Sequence, residues 1–288
     1  MPASLRLTSA RAPLTQEIEA RDEFGQIRRI SIPAERALTI FVDTRELVTL
    51  MTLGAEPELL VLGYLRNQRL VEAVEDIDSI TVDWDVNAAA VKTRAGIERC
   101  DQKTATRVVT TGCGQGPVFG DMMTDIDALR LPPAGDPAAR ISQGALYRLL
   151  NVMRLQESTY KSAGSVHGCA LFRQDELLTF VEDVGRHNAI DTIAGWMWLN
   201  GVDGSDKAFY TTGRLTSEMV IKSAQMGVPI VVSRSGITQM GYQLATKLGL
   251  ALFGRATNRH FICYCGFERF DAQPEPVRPP PAAVTAQG

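Results

Sequence analysis

The order of apolar and polar positions divides the chain into two textures. Residues 1–35 are mostly polar, with one strand expected at 26–32. From Ala37 to about Ala105 short β-rich runs follow one another. Runs at 38–42 and 46–51 flank a turn at Asp43-Thr44-Arg45. Residues 79–86 alternate with the period of two of a half-buried strand. Residues 57–68 read as a short helix. A further strand at 107–111 runs into Gly112-Cys113-Gly114-Gln115-Gly116-Pro117, a loop that no regular element would accommodate. After a Pro-rich connection the texture changes. Residues 142–158 predict an amphipathic helix, with Ser142 as its N-cap and Ala145, Leu146, Leu149 and Val152 on its apolar face. Strands are then expected at 166–172, 208–212, 229–233, 250–253 and 261–264, with helices at 187–198, 216–226 and 239–248. That alternation predicts a layered α/β domain with a largely parallel sheet.

The fold class is therefore α/β (α+β overall). We read a flexible N-terminus (1–24), a β-rich N-terminal domain (25–111), a mobile cysteine loop and linker (112–140), a C-terminal α/β domain (141–270) and a Pro- and Ala-rich disordered tail (271–288). Composition narrows the function classes. Over 288 residues, 45% hydrophobic and 22% charged side chains suffice for a sizeable core. The net charge of -3 gives no overall basic field for nucleic acid. No apolar run is long enough for a membrane span, and the first residues lack the apolar core of a secretory signal. The five cysteines, Cys100, Cys113, Cys169, Cys263 and Cys265, are odd in number and irregular in spacing. They fit reduced thiols in a cytoplasmic protein better than a disulfide framework. No structural metal is expected, because no second ligand pair follows Cys263 and Cys265 at zinc spacing.

Two kinds of position can carry chemistry. Cys113 stands between two glycines directly after a strand, where a thiolate would be uncovered and could be stabilised by loop N–H groups. The bland alternative is a free cysteine in a turn. The run Val181–Asp191 carries Glu182, Asp183, Arg186, His187, Asn188 and Asp191 and opens a helix, whose free N–H groups suit an anion. Its bland alternative is capping and a solvated face. Three more strand–loop junctions hold an Arg beside Gly, Ser or Thr: Gly213-Arg214, Ser233-Arg234-Ser235, and Phe253-Gly254-Arg255-Ala256-Thr257-Asn258-Arg259. In an open α/β sheet such loops gather at the carboxyl ends of the strands, so four of them together suggest a polyanion such as a dinucleotide. The P-loop signature is absent, and Pro117 occupies the third glycine's place in the pattern begun by Gly112 and Gly114, so the dinucleotide fingerprint fails as well.

Taken together, these residues resemble the formate dehydrogenase accessory sulfurtransferase family, FdhD. The resemblance rests on Glu182–Asp191, on Gly164-Ser165-Val166-His167, on Gly213-Arg214 with Glu218-Met219, and on the 233–235 and 253–259 loops. It implies a sulfur carrier that takes sulfur from a cysteine desulfurase as a persulfide on Cys113. The sulfur would pass to the molybdenum bis(molybdopterin guanine dinucleotide), bound as substrate, on its way into formate dehydrogenase. GDP or GMP would serve as analogues. The resemblance further implies a homodimer and a C-terminal domain similar to the cytidine-deaminase fold. Arg186, His187, Asn188, Asp191 and the three later loops would hold the cofactor. One departure stands out: many members carry C-x-x-C in this loop, whereas here Gly116 takes the second place, so a relay within the loop is impossible. Either Cys113 acts alone, or one of the other four cysteines assists. The deaminase alternative fails on its ligands, since Cys169 stands where H-x-E needs its Glu and no P-C-x-x-C exists. The rival from another class is a non-catalytic escort of the same cofactor.

Overall fold

The computed structural model describes residues 5–94, 96 and 126–273. Cys100, Cys113, Gly116 and the strand expected at 107–111 lie outside them. The N-terminal unit is built on a five-stranded sheet of β1 (Arg6–Leu7), β4 (Arg36–Val42), β5 (Arg45–Thr52), β6 (Ile77–Asp83) and β7 (Ala88–Thr93), in the order β1-β6-β7-β4-β5. Alternation in β4 and β5 sends Leu38, Ile40, Val42, Leu47 and Leu50 to one buried face. The turn between them needs a left-handed residue, supplied by Asp43 (φ 54°). The Asp43 carboxylate accepts from Thr93 N and Oγ1, each at 2.9 Å, and so ties the turn to β7.

Helix α1 (Pro57–Asn67) covers that sheet. Pro57 sits at its start, where a missing N–H costs nothing. The helix is buried almost all round, because its second face packs on the C-terminal unit. Within residues 5–24, part of the lead expected to be flexible, two strands are found. Here β1 pairs in parallel with β6, and β2 (Thr15–Arg21) pairs with β3 (Ile27–Pro33) as a separate antiparallel ribbon. The sequence hid β2 because both its faces carry polar residues.

The C-terminal unit begins with β8 (Ile141–Ser142) and α2 (Gln143–Leu155), whose N-cap Ser142 accepts from Ala145 N at 3.1 Å. After the short helix α3 (Thr159–Ala163) comes a six-stranded sheet of β9 (His167–Arg173), β10 (Glu176–Asp183), β11 (Lys207–Thr211), β12 (Ile230–Ser233), β13 (Ala251–Thr257) and β14 (His260–Cys265). Its order is β10-β9-β11-β12-β13-β14. The sheet is mixed rather than largely parallel: only β11–β12 and β12–β13 are parallel pairs. Tight hairpins join β9 to β10 and β13 to β14, and a hairpin can only be antiparallel; because β10 turns back to the outside of β9, β11 then enters on the other side of β9 and is antiparallel to it as well.

Helices α4 (Arg186–Leu199), α5 (Ser217–Gln225) and α6 (Gln239–Leu248) lie on one face, and α2 lies on the other. Successive strand residues alternate between the two cores: Phe209, Val231 and Leu252 face the three helices, while Tyr210, Val232 and Phe253 face α2. A sheet buried on both faces explains the continuous apolar runs of these strands. The chain closes with β15 (Phe270–Asp271) beside β8. Buried Arg269 donates to Gly249 O at 2.8 Å and Pro132 O at 2.6 Å, tying the Pro-rich connection to the sheet. Among the described residues no helix is long and apolar enough to cross a membrane.

Candidate functional site

The register lines up the chemistry-bearing loops on one edge of the six-stranded sheet. Thr211, the last residue of β11, stands opposite Ser233, the last of β12, while Val232 stands opposite Phe253 and β13 runs on past that point to Thr257. On the other side, Asp183 of β10 is paired with His167, the first residue of β9. The 184–186, 212–216 and 234–238 segments therefore leave the sheet side by side, with the 254–257 end of β13 running past them.

Backbone bonds lock these segments to one another. Thr212 N donates to Gly168 O at 2.9 Å, and Gly168 N to Thr212 Oγ1 at 3.1 Å. Ser233 Oγ donates to Gly213 O at 2.6 Å and accepts from Ser235 N at 2.9 Å. Arg234 N donates to Thr211 O, and Arg255 N to Ser235 O at 2.8 Å. Two glycines are required by close approach: a Cβ on Gly213 would lie 2.7 Å from Arg186 Cδ, and one on Gly254 would lie 2.6 Å from the Tyr264 ring.

This edge is lined with guanidinium groups. Arg214, Arg234 and Arg255 are exposed, and Arg186 is buried at the start of α4. Among the described residues none of the four makes an ion pair. Three buried polar atoms at the same edge, Arg186 Nε, His187 Nε2 and Thr216 Oγ1, have no hydrogen-bond partner there. Buried polar atoms are nearly always satisfied, and an orphan costs about 1–3 kcal/mol, so three in one place mark a binding surface.

Other expected site residues have a different employment. Asp191 is fully buried, accepting from Asn67 Nδ2 at 2.7 Å and Lys222 Nζ at 2.8 Å. Asn188 Nδ2 donates to Met51 O at 2.7 Å and to Asp183 Oδ1 at 2.9 Å. The Asp183 carboxylate also accepts from Thr52 Oγ1, Leu53 N and Gly185 N. These three side chains join α4 to β5 and α1 across the interface between the two units; with no exposed polar atom left on Asp191, ligand contact gives way to positioning. Phe253 and Ala256 are buried in the α2-side core, with Phe253 edge-on to Phe261 and Phe270, so their side chains do not reach the edge. Ser233 is buried as a loop lock. Segment 253–259 is largely the strand β13 rather than a loop, and it carries Thr257 and Asn258 beyond the edge. Arg259 is drawn toward the α2 face, 6.0 Å from the Tyr147 ring.

Asn67, Thr52 and Lys222 escaped the sequence reading. A lysine directly after the apolar run Met219-Val220-Ile221, four residues after Glu218, is the one signal that could have exposed a buried pair. Electrostatics follow from burial. Lys222 loses solvation, yet Asp191 and Glu218 (3.3 Å) raise its pKa and keep it charged. His187 is pushed down to about 2 by burial and by Lys222, Arg186 and His167; Glu218 Oε2, 3.3 Å from Nε2, is too poorly directed to bond it. Among the thiols, burial pushes Cys169 up to about 12 and Cys263 up to about 11, and it raises Cys265 as well. All three are free cysteines with little thiolate at neutral pH.

A mixed α/β chain with a cationic, partly unsatisfied sheet edge is thus the class of protein that the fold and the site define. The sequence model of the FdhD/NarQ family matches residues 33–271, and the chain belongs to that family. It is 32% identical over 252 residues to the sulfur carrier protein FdhD of Bacillus subtilis (strain 168), covering 86% of this chain and 94% of that one. The sulfur carrier protein FdhD of Listeria monocytogenes serotype 4b (strain F2365) is 30% identical over 251 residues, 86% of this chain and 95% of its own length. A crystal structure of a formate dehydrogenase accessory protein from Desulfotalea psychrophila superposes with a TM-score of 0.71 at 25% identity, covering 90% of this chain and all of that one.

Proposed function

We propose that this chain is a sulfur carrier in formate dehydrogenase maturation, passing persulfide sulfur from a cysteine desulfurase to a bis-guanine-dinucleotide molybdenum cofactor. The observation that carries the reading is the set of four guanidiniums on one sheet edge that have no ionic partner among the described residues, in a chain whose family relatives are named sulfur carriers. Arg186, Arg214, Arg234 and Arg255 supply the forked donors that phosphates prefer. His187, Gly213, Ser235, Gly254, Thr257 and Asn258 line the remaining contacts to base and sugar, Asn188, Asp191, Ser233, Phe253 and Ala256 hold the loops in place, and Arg259, over the Tyr147 ring, would reach the ligand only by leaving that ring. GDP and GMP are the simplest analogues.

The sulfur step needs a thiolate. Cys169, Cys263 and Cys265 are disfavoured by burial, which leaves Cys113, with Cys100 as the other candidate. In the first transfer the Cys113 thiolate attacks the outer sulfur of the desulfurase persulfide, whose own cysteine leaves as thiolate; Cys113 keeps the sulfur as a new persulfide. A homodimer working in the cytoplasm, with the C-terminal layer similar to the cytidine-deaminase fold as scaffold, belongs to the same proposal.

The test is direct. The purified protein is incubated with a cysteine desulfurase and cysteine, and the modified peptide is mapped by mass. One added sulfur (~32 Da by atomic mass) on the Cys113 peptide, absent in Cys113→Ala, is the expected result. No sulfur on Cys113 with GDP binding intact would leave only an escort of the cofactor. In a parallel titration, Arg214→Ala and Arg234→Ala should each weaken GDP binding by roughly tenfold, about the worth of one charge-assisted hydrogen bond. Unchanged affinity in both would move the nucleotide off this edge.

A further inference from the structure

His167 has no employment in the reading above, yet it stands in the middle of the edge. It opens β9, with Val166 alone separating it from Gly164 and Ser165, both of positive φ. Its neighbour Gly168 is bonded twice to Thr212, which places His167 beside the Gly213-Arg214 loop. Gly213 in turn lies against the Arg186 side chain. Three elements therefore bring one imidazole and two guanidiniums together. His167 is half-buried, and among the described residues its ring has neither a hydrogen bond nor an ion pair.

The charged groups around it favour the neutral ring. From α4 it meets Arg186 and His187, and from the β11–α5 loop it meets Arg214. Burial, then Arg186 and Arg214, lower its pKa below the ordinary histidine value. The acids on β10 give little relief: Asp183, its cross-strand partner, is committed to Thr52, Leu53, Gly185 and Asn188, and Glu182 to Thr159 N and Tyr160 N. Lys161 of α3 is turned to Leu155 O. An anion seated on the two arginines removes the repulsion that keeps the imidazole neutral, and offers it an acceptor.

We propose that His167 is a proton-linked third ligand of the anion site: neutral in the free protein, it takes one proton from solvent as a pyrophosphate diester binds between Arg186 and Arg214. This rests on the cofactor reading above and deepens it, because the energy of binding then depends on pH through one identified group. Binding tightens as pH falls from 8 toward and below the ordinary histidine range. The ceiling is roughly tenfold per pH unit for a single linked proton.

The probe must not titrate itself, so diguanosine pyrophosphate (two guanosines joined through a pyrophosphate diester) serves better than GDP. Its binding to the full chain is measured by calorimetry from pH 5.5 to 8, in buffers of different ionisation enthalpy. The expected result is uptake of up to one proton below about pH 6.5, lost in His167→Gln together with the tightening of binding at low pH. With only three histidines in the chain, imidazole NMR gives a second readout on the unmutated protein. The His167 resonance should titrate below the ordinary range when free and move upward with ligand. Binding without proton uptake, or uptake that persists in His167→Gln, overturns the inference while leaving the cofactor reading in place. No binding of the dinucleotide at any pH overturns both.

Discussion

At the scale of single residues, the same buried environment silences some groups and commits others. Cys169 is fully buried, with a pKa near 12, and Cys263 stands near 11. Alkylation at pH 8 in the folded protein should leave the Cys169 peptide unmodified and the Cys263 peptide nearly so; peptide mapping after iodoacetamide checks this, and rapid labelling of Cys169 would contradict its burial. The Asp191–Lys222 pair has no solvent contact on either side chain, so removing one partner strands the other. Asp191→Ala should cost about 3–5 kcal/mol, seen as a shift in the urea midpoint, whereas Lys222→Met with Asp191→Leu should cost far less. His187 sets a pH dependence. Its folded pKa lies near 2 and its unfolded pKa near 6.5, so its contribution is complete above about pH 6.5 and is lost as pH falls, by up to ~1.4 kcal/mol per unit. Asp183 and Asp191, raised by burial, contribute with the opposite sign over the acid range. Comparing the protein with His187→Gln at pH 7 and 5 therefore isolates the histidine: the variant should lose less stability on acidification.

At the scale of elements, the decisive contact is the crossing of α1 and α4. A Cβ on Gly63 would lie 1.7 Å from Asp191 O, and one on Gly195 would lie 2.0 Å from Leu59 O. The two backbones are in contact, which lets Asn67 reach Asp191 and Arg66 donate to Ala194 O at 3.0 Å. Alanine would ordinarily favour a helix over glycine by about 1 kcal/mol. Here Gly63→Ala and Gly195→Ala should instead destabilise by roughly 1–3 kcal/mol or more, because backbone cannot yield as a side chain does; denaturant unfolding decides the sign. Most elements were legible in the sequence for a simple reason. Strands with one buried face show period two, and strands buried on both faces show short apolar runs between turn residues. β10 was not legible: it ends in Glu182 and Asp183, whose carboxylates are consumed by Thr159, Tyr160, Thr52 and Leu53, so a polar terminus that looks like a loop is an internal junction.

At the scale of the whole molecule, the run Glu182–Asp191 does two tasks. Arg186 and His187 turn unsatisfied nitrogens to the edge, while Asp183, Asn188 and Asp191 bind the N-terminal unit through Thr52, Met51 and Asn67. Such an interface should make the described units unfold together. A single transition by near-UV and far-UV signals is expected, and Asn67→Leu, which breaks the tie at Asp191, should separate the probes or lower the common midpoint by about 1–3 kcal/mol. The sequence by itself determined the strands and helices of the C-terminal layer apart from β10, the gathering of Arg-bearing loops after its strands, and the family likeness, because all of these depend on local spacing. Only the tertiary structure decided which polar residues of one motif face the edge and which are spent inside. It also decided that Phe253 and Ala256 are core, that the sheet is mixed, and that Lys222 and Asn67 complete a buried network. Those outcomes depend on what stands opposite each side chain, and residues such as Asn67 and Asp191, 124 positions apart, are brought together by packing alone.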